Sequence, residues 1–239
     1  MKYSLKDVTA SLTPEKHSAD GFWTRCVLRP LSYPVAWLAL RCALSPNTVS
    51  WTGVFFAVAG AVLFGLAGGV FRWAGIAGFF IFSVLDCVDG NMARTIKKPS
   101  PWGAWTDTVS GYIVYTAALL SLGVAAERAG GFDGPVGLCI FLGGFSAAAN
   151  MLMRAAVQAR RVSAFTITAS VAGTPAQQKP GREKWISENA GVTGVMVPAM
   201  CAGVYFGKLH WALFFYTLLY GIGSVWIVFR LAVKNKNRD

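Results

Sequence analysis

The stretch Phe79-Phe80-Ile81-Phe82-Ser83-Val84-Leu85-Asp86-Cys87-Val88-Asp89-Gly90-Asn91-Met92-Ala93-Arg94 is an apolar run that ends on two carboxylates. Asp86 and Asp89 are three residues apart, so on a helix they project from nearly the same face. A charge at membrane depth costs at least about 2.5–3.5 kcal/mol on insertion scales, and such residues usually mark function. After a short loop, Asp107 enters early in the next apolar run, where it faces the first two in an antiparallel helix pair. Three converging carboxylates repel one another. A hard divalent cation relieves this, and all-oxygen ligands suit Mg²⁺, Mn²⁺ or Ca²⁺ better than Zn²⁺. The plainer alternative is that each Asp caps a helix or pairs with Arg94, Lys97 or Lys98.

The composition of the whole chain agrees with a membrane setting. Of 239 residues, 54% are hydrophobic and only 14% charged, against roughly 25% charged in soluble domains. Six stretches approach the roughly 20 apolar residues that a bilayer core requires: 47–68, 71–92, 103–125, 134–157, 187–207 and 209–230. Small residues such as Gly60, Gly65, Gly68 and Gly69 in the first, and Gly143, Gly144, Ala147 and Ala148 in the fourth, permit close helix approach. The expected fold is an all-α integral membrane protein of six transmembrane helices. Residues 1–20 have no apolar core of a signal peptide, so the N-terminus is expected to be retained.

Lys and Arg set the orientation. Nineteen lie in 1–46, 93–101, 154–187 and 230–239, whereas Arg72, Arg128 and Lys208 are alone on the other side. The net charge of +11 therefore reads as topology, with both termini facing the cytoplasm, and not as a nucleic-acid surface. Residues 1–45 form a cytoplasmic segment with a juxtamembrane helix rich in Trp, Leu and Arg that suits the interface. Residues 46–233 form the membrane domain, and 234–239 a basic tail. Residues 172–184 read as a cytoplasmic loop. The five Cys show no metal or disulfide spacing and are expected to pack as small apolar residues. His17 and His210 are isolated.

Asp86-x2-Asp89-Gly90-x2-Ala93-Arg94-x8-Gly103-x3-Asp107 resembles the signature of the CDP-alcohol phosphotransferases, whose fixed positions it matches except the last. Gly111 stands where that pattern has a fourth Asp. Ser45-Pro46-Asn47-Thr48-Val49-Ser50 is similar to the Pro-Asn segment that opens the family's first span. Asp20-Gly21 with Arg29-Pro30-x-Ser32 is similar to the juxtamembrane helix of some members, and Gly181-Arg182-Glu183-Lys184 to the basic segment before the fifth span. The resemblance covers most of residues 20–187.

The resemblance implies transfer of a phosphate-linked alcohol from a CDP-activated donor to an acceptor, with release of CMP, in phospholipid or related glycoconjugate synthesis. It implies Asp86, Asp89 and Asp107 as ligands of Mg²⁺ or Mn²⁺, which offset diphosphate charge and polarise the phosphorus. Gly90, Ala93, Arg94, Gly103 and Asn47 are then expected to line the CDP site, with Arg94 offering a bidentate fit to phosphate. Arg154, Arg182 and Lys184 are expected to form the acceptor or headgroup wall, and surface charge alone is the competing account of each. A homodimer among membrane lipids is also implied.

The fourth Asp is the family's expected general base, a role typically worth about 10²–10⁴-fold. Gly111 can supply no base. Three explanations stand: another group (Ser110, Tyr112, Asn91 or a metal-bound water) takes over; the acceptor is an anion that needs no base; or the protein binds CDP compounds without turnover. A small-solute transporter is a further alternative, although its polar groups would more typically gather near the midplane.

Overall fold

The computed structural model describes residues 3–97, 100–170 and 189–236, with the backbone alone at 161, 163–170 and 234–236. Among the described residues the chain is helical throughout, without strands. Two short helices, α1 (Leu5–Ala10) and α2 (Pro14–Ala19), lead through a π-helical turn (Thr24–Leu28) into α3 (Arg29–Arg41). Then come α4 (Pro46–Leu66), α5 (Val70–Ile96), α6 (Pro101–Arg128) and α7 (Leu138–Ser170). A second π-helical turn (Val192–Met196) opens into α8 (Val197–Tyr205), and α9 (Leu209–Lys236) closes the described chain.

Five of these helices are long and apolar enough to cross a bilayer: α4, α5, α6, the part of α7 over Leu138–Arg160, and the part of α9 over Leu209–Val233. At 1.5 Å per residue, the 21 residues of α4 extend about 31 Å, the thickness of a hydrocarbon core. The protein is an integral, multi-pass membrane protein. Two of the spans start with the same device. Ser45 caps α4 by accepting from the Thr48 N–H, and Ser100 caps α6 by accepting from the Gly103 N–H, each followed by Pro at the first helical position. Both caps lie at the end of the bundle where α5 finishes, on Lys97 in the left-handed region. That end carries the Asp86–Arg94 stretch. Arg72 begins α5 and Arg128 ends α6 at the opposite end.

The sixth apolar stretch differs from a simple span. Gly194 has non-helical backbone angles (φ −106°, ψ −129°), and only the short α8 follows. Even so, the segment joins the two ends of the bundle. Asn189 accepts from the Phe22 N–H near the juxtamembrane helix, and α8 finishes beside Leu209, whose neighbour His210 packs on Phe132. Unwound backbone is tolerated at membrane depth only where its polar groups find partners. Here the Val192 N–H donates to the Tyr115 hydroxyl at 3.1 Å, the Ser83 hydroxyl donates to the Val192 carbonyl at 3.2 Å, and the Thr24 hydroxyl donates to the Thr193 carbonyl at 2.8 Å.

Helices approach most closely where side chains are absent. A Cβ on Gly78 of α5 would lie 2.5 Å from the Phe56 carbonyl of α4, and one on Gly123 of α6 would lie 2.6 Å from the Cys139 carbonyl of α7. Gly60 and Gly143 sit opposite these positions, as the small-residue pattern suggests. Gly68 and Gly69 do not pack; they form the turn between α4 and α5, where Gly69 has φ +56°. The shared core includes Phe64, Phe79, Leu119, Leu122, Met200 and Tyr216. Of the cysteines, Cys87 and Cys139 are buried, but Cys26 and Cys42 are exposed on the juxtamembrane unit, whose surface is not covered by the bundle.

Candidate active site

Three helix ends meet around the acidic stretch. Asp89, half-buried on α5, accepts a short hydrogen bond from the hydroxyl of Ser50, one turn inside α4. Asp86 lies a turn deeper on the same helix, and Asp107 is exposed in the second turn of α6. The three carboxylates are near enough for Asp89 to feel both others and for Asp86 to feel Asp107. As the side chains stand, no three His, Cys, Asp or Glu groups among the described residues close around a single cation position. The donor set is nonetheless all oxygen and anionic, which fits a hard divalent cation.

Gly103 faces α4. A Cβ there would sit 3.7 Å from the Asn47 amide oxygen and 3.4 Å from the Ser100 hydroxyl, so Asn47 and Gly103 border the same space. Gly90 is also open on one side, but the Arg94 guanidinium lies 3.3 Å from where its Cβ would be. Ala93, three residues after Gly90 on α5, is half-buried.

Arg94 belongs to a network. Its Nη2 donates to Asn91 Oδ1 at 2.7 Å, and Arg29 Nη1 donates to the same oxygen at 3.1 Å. Asn91 Nδ2 donates to the Ser32 hydroxyl at 2.9 Å. Arg29 grips Asp20 with two nitrogens, and Lys16 lies 3.2 Å from Asp20. Arg94 Nε is buried with no partner among the described residues. The juxtamembrane unit is thereby bolted to the acidic helix through one amide. Asn91 is fully engaged and cannot serve as a base. Ser110, another candidate for that role, is buried and donates to the Asp107 carbonyl at 3.0 Å. The sequence pointed to Asp20, Arg29 and Ser32 only as a pattern, and nothing local in it signalled their contact with Asn91, 59 and 62 positions from Ser32 and Arg29.

Arg154 reaches toward the carboxylates from α7. Its guanidinium stacks on the Tyr115 ring at 3.9 Å, and its Nε donates to Asn150 Oδ1 at 3.1 Å. Nη1 lies 3.3 Å from the position of a Cβ on Gly111. Arg182 and Lys184, the other members of the expected basic wall, lie outside the described residues, as does the 172–184 loop.

An all-helical membrane bundle with an Asp-x2-Asp-Gly-x2-Ala-Arg stretch at one end and a third Asp opposite defines a class. The family model for CDP-alcohol phosphatidyltransferase matches residues 43–218, and the chain belongs to that family. It is 36% identical over 121 residues to a phosphatidylinositol phosphate synthase of Streptomyces avermitilis, covering 51% of this chain and 46% of that protein. It is 36% identical over 75 residues to the enzyme of the same name from Cutibacterium acnes, covering 31% and 35% of the two chains. The chain thus spans less than half the length of these curated relatives. The crystal structure of the Mycobacterium tuberculosis phosphatidylinositol phosphate synthase with manganese and citrate shares the fold, with a TM-score of 0.56 and 18% identity, covering 83% of this chain and 87% of that one.

Proposed function

We propose that the protein transfers a phosphate-linked alcohol from a CDP-activated donor to an acceptor, releasing CMP, in phospholipid or related lipid synthesis. The observation that carries this reading is the placing of Asp86 and Asp89 in the last turns of α5 and of Asp107 in the second turn of α6, with Gly90 and Gly103 on the same two helices. Asp86, Asp89 and Asp107 would hold a divalent cation, and the manganese in the related synthase's structure supports that choice. When bound, Mg²⁺ or Mn²⁺ neutralises diphosphate charge and polarises the phosphorus. Asn47, Gly103, Ala93 and Gly90 leave room for the CDP moiety, and Arg94, aimed by Asn91, meets its phosphates. Arg154 faces the acceptor, with Arg182 and Lys184 as further members of that wall.

The positive-inside distribution supports an active site and both termini on the cytoplasmic side. Residues 1–45 act as the juxtamembrane unit, 46–233 as the catalytic membrane domain and 234–239 as a basic tail. A homodimer in the bilayer completes the reading. Gly111 favours one rival, a protein that binds CDP compounds without turnover. The deciding experiment is CMP release by the purified chain with Mg²⁺ or Mn²⁺ and CDP donors crossed with alcohol and anionic acceptors. Turnover supports a transferase, whereas saturable CDP-donor binding without CMP supports the rival.

A further inference from the structure

Gly111 lies one helical turn after Asp107, on the same face of α6. The space its missing side chain leaves is bordered by Arg154 Nη1 at 3.3 Å. Tyr115 supports that guanidinium from below, and Asn150 fixes its Nε, so the fork is held in one orientation. Asn150 is 2% exposed, and its Nδ2 donor has no partner among the described residues. No carboxylate of the described residues lies within ion-pair distance of Arg154, for the ion pairs among them are Lys16–Asp20 and Arg29–Asp20. Through Gly111 the fork lies one helical turn along α6 from Asp107. An oriented guanidinium beside an open position, with a buried unpartnered amide behind it, makes a place for an oxyanion.

Resting on the transferase reading above, we infer that the nucleophile this protein uses is itself an oxyanion, a phosphate or phosphonate seated between Gly111 and Arg154. A hydroxyl nucleophile must lose a proton, and none of the side chains named for that role is a base near neutral pH: Asn91 is a carboxamide engaged with two guanidinium groups and Ser32, Ser110 donates to the Asp107 carbonyl, and Tyr112 is a phenol. An ionised phosphate has no proton to lose. One of its oxygens forms a bond to the donor phosphorus that bears the alcohol. The bond from that phosphorus to the bridging oxygen breaks, and the electron pair leaves with CMP. The product contains a P–O–P linkage, total charge is conserved, and no base takes part. An Asp at 111 would instead pair with Arg154 and expel the anion.

Matched acceptors test this with the full chain, Mn²⁺ and CDP-diacylglycerol or CDP-ethanolamine as donor. Phenyl phosphate is set against benzyl alcohol, and phosphatidic acid against diacylglycerol, so that soluble and lipid sources of the phosphate are told apart. The expected result is CMP with a phosphate partner only, and paired diphosphate signals in the product's ³¹P spectrum. CMP with either neutral alcohol overturns the inference and leaves the transferase reading standing, and no CMP in any combination overturns both. Binding supplies a readout independent of turnover. Calorimetry of the metal-free chain should show phenyl phosphate bound, and Gly111→Asp should weaken it by about tenfold or more, the worth of a hydrogen bond to a charged group. Equal binding by the two proteins overturns the assigned seat.

Discussion

Arg29 holds Asp20 through two nitrogens, Nε at 2.6 Å from Oδ2 and Nη2 at 3.1 Å from Oδ1, with both residues almost wholly buried. Through Nη1 the same guanidinium reaches Asn91 between the motif's second Asp and its Arg. Removing one partner of such a pair leaves an uncompensated charge, at a cost of about 3–5 kcal/mol. Asp20→Ala should therefore lower the thermal unfolding temperature in detergent far more than the paired change Asp20→Leu with Arg29→Leu.

The pair also predicts a dependence on pH. Burial works to raise the Asp20 carboxyl, but hydrogen bonds and charge from Arg29 and Lys16 outweigh it and hold the group below its ordinary 3.8. The unfolded chain then binds the proton more tightly than the folded one. Stability from the pair is complete above about pH 5 and is lost as pH falls through the lowered value. Unfolding of wild type should become easier on acidification below about pH 4, a component that Asp20→Asn abolishes.

Asn91 serves two cations at once, and Asn91→Leu would free Arg94 to move. Losing a hydrogen bond to a charged group is worth about 1.5–3 kcal/mol, so the KM for the CDP donor should rise by tenfold or more. Asn91→Asp, which keeps the accepting oxygen, should retain most of the donor affinity; steady-state kinetics on the two variants check this.

At the α4–α5 crossing, Gly78→Val places a Cβ against backbone, since the Phe56 carbonyl would be 2.5 Å away. Overpacking of this kind costs about 1–3 kcal/mol. Gly68→Ala meets nothing within 4 Å and should change stability by less than about 0.5 kcal/mol. Thermal unfolding of the two variants separates helix contact from turn.

Tyr115→Phe would leave the Val192 N–H without its acceptor in the unwound segment. A buried donor left unpaired costs about 1–3 kcal/mol, and hydrogen exchange across residues 191–196 should quicken while α4 stays protected.

Long apolar runs made five spans legible, and the Ser45-Pro46-Asn47 segment marked where the first begins; the matching Ser100-Pro101 start emerged only from the structure. The bend at Gly194 was not legible, because apolar composition is the same in a straight span and a broken one. What permits the break is three hydroxyls, Ser83, Thr24 and Tyr115, supplied from distant parts of the chain. In the same way the motif spacing exposed Asp86, Asp89 and Asp107, whereas the Asn91 junction joins residues 59 and 62 positions apart and follows no local period. The gap at Gly111 was plain in the sequence; that Arg154 borders it emerged only from the packing of α6 against α7.

The most direct test of the central claim is CMP release by wild type, Asp89→Asn and Asp107→Asn, each with Mn²⁺ and again after chelation, on the CDP donor that wild type turns over. Wild type should release CMP only with the divalent cation, and both variants should lose at least about 10²-fold, as befits groups that stabilise transition-state charge. Undiminished CMP release from either variant, or full activity without a divalent cation, would contradict it.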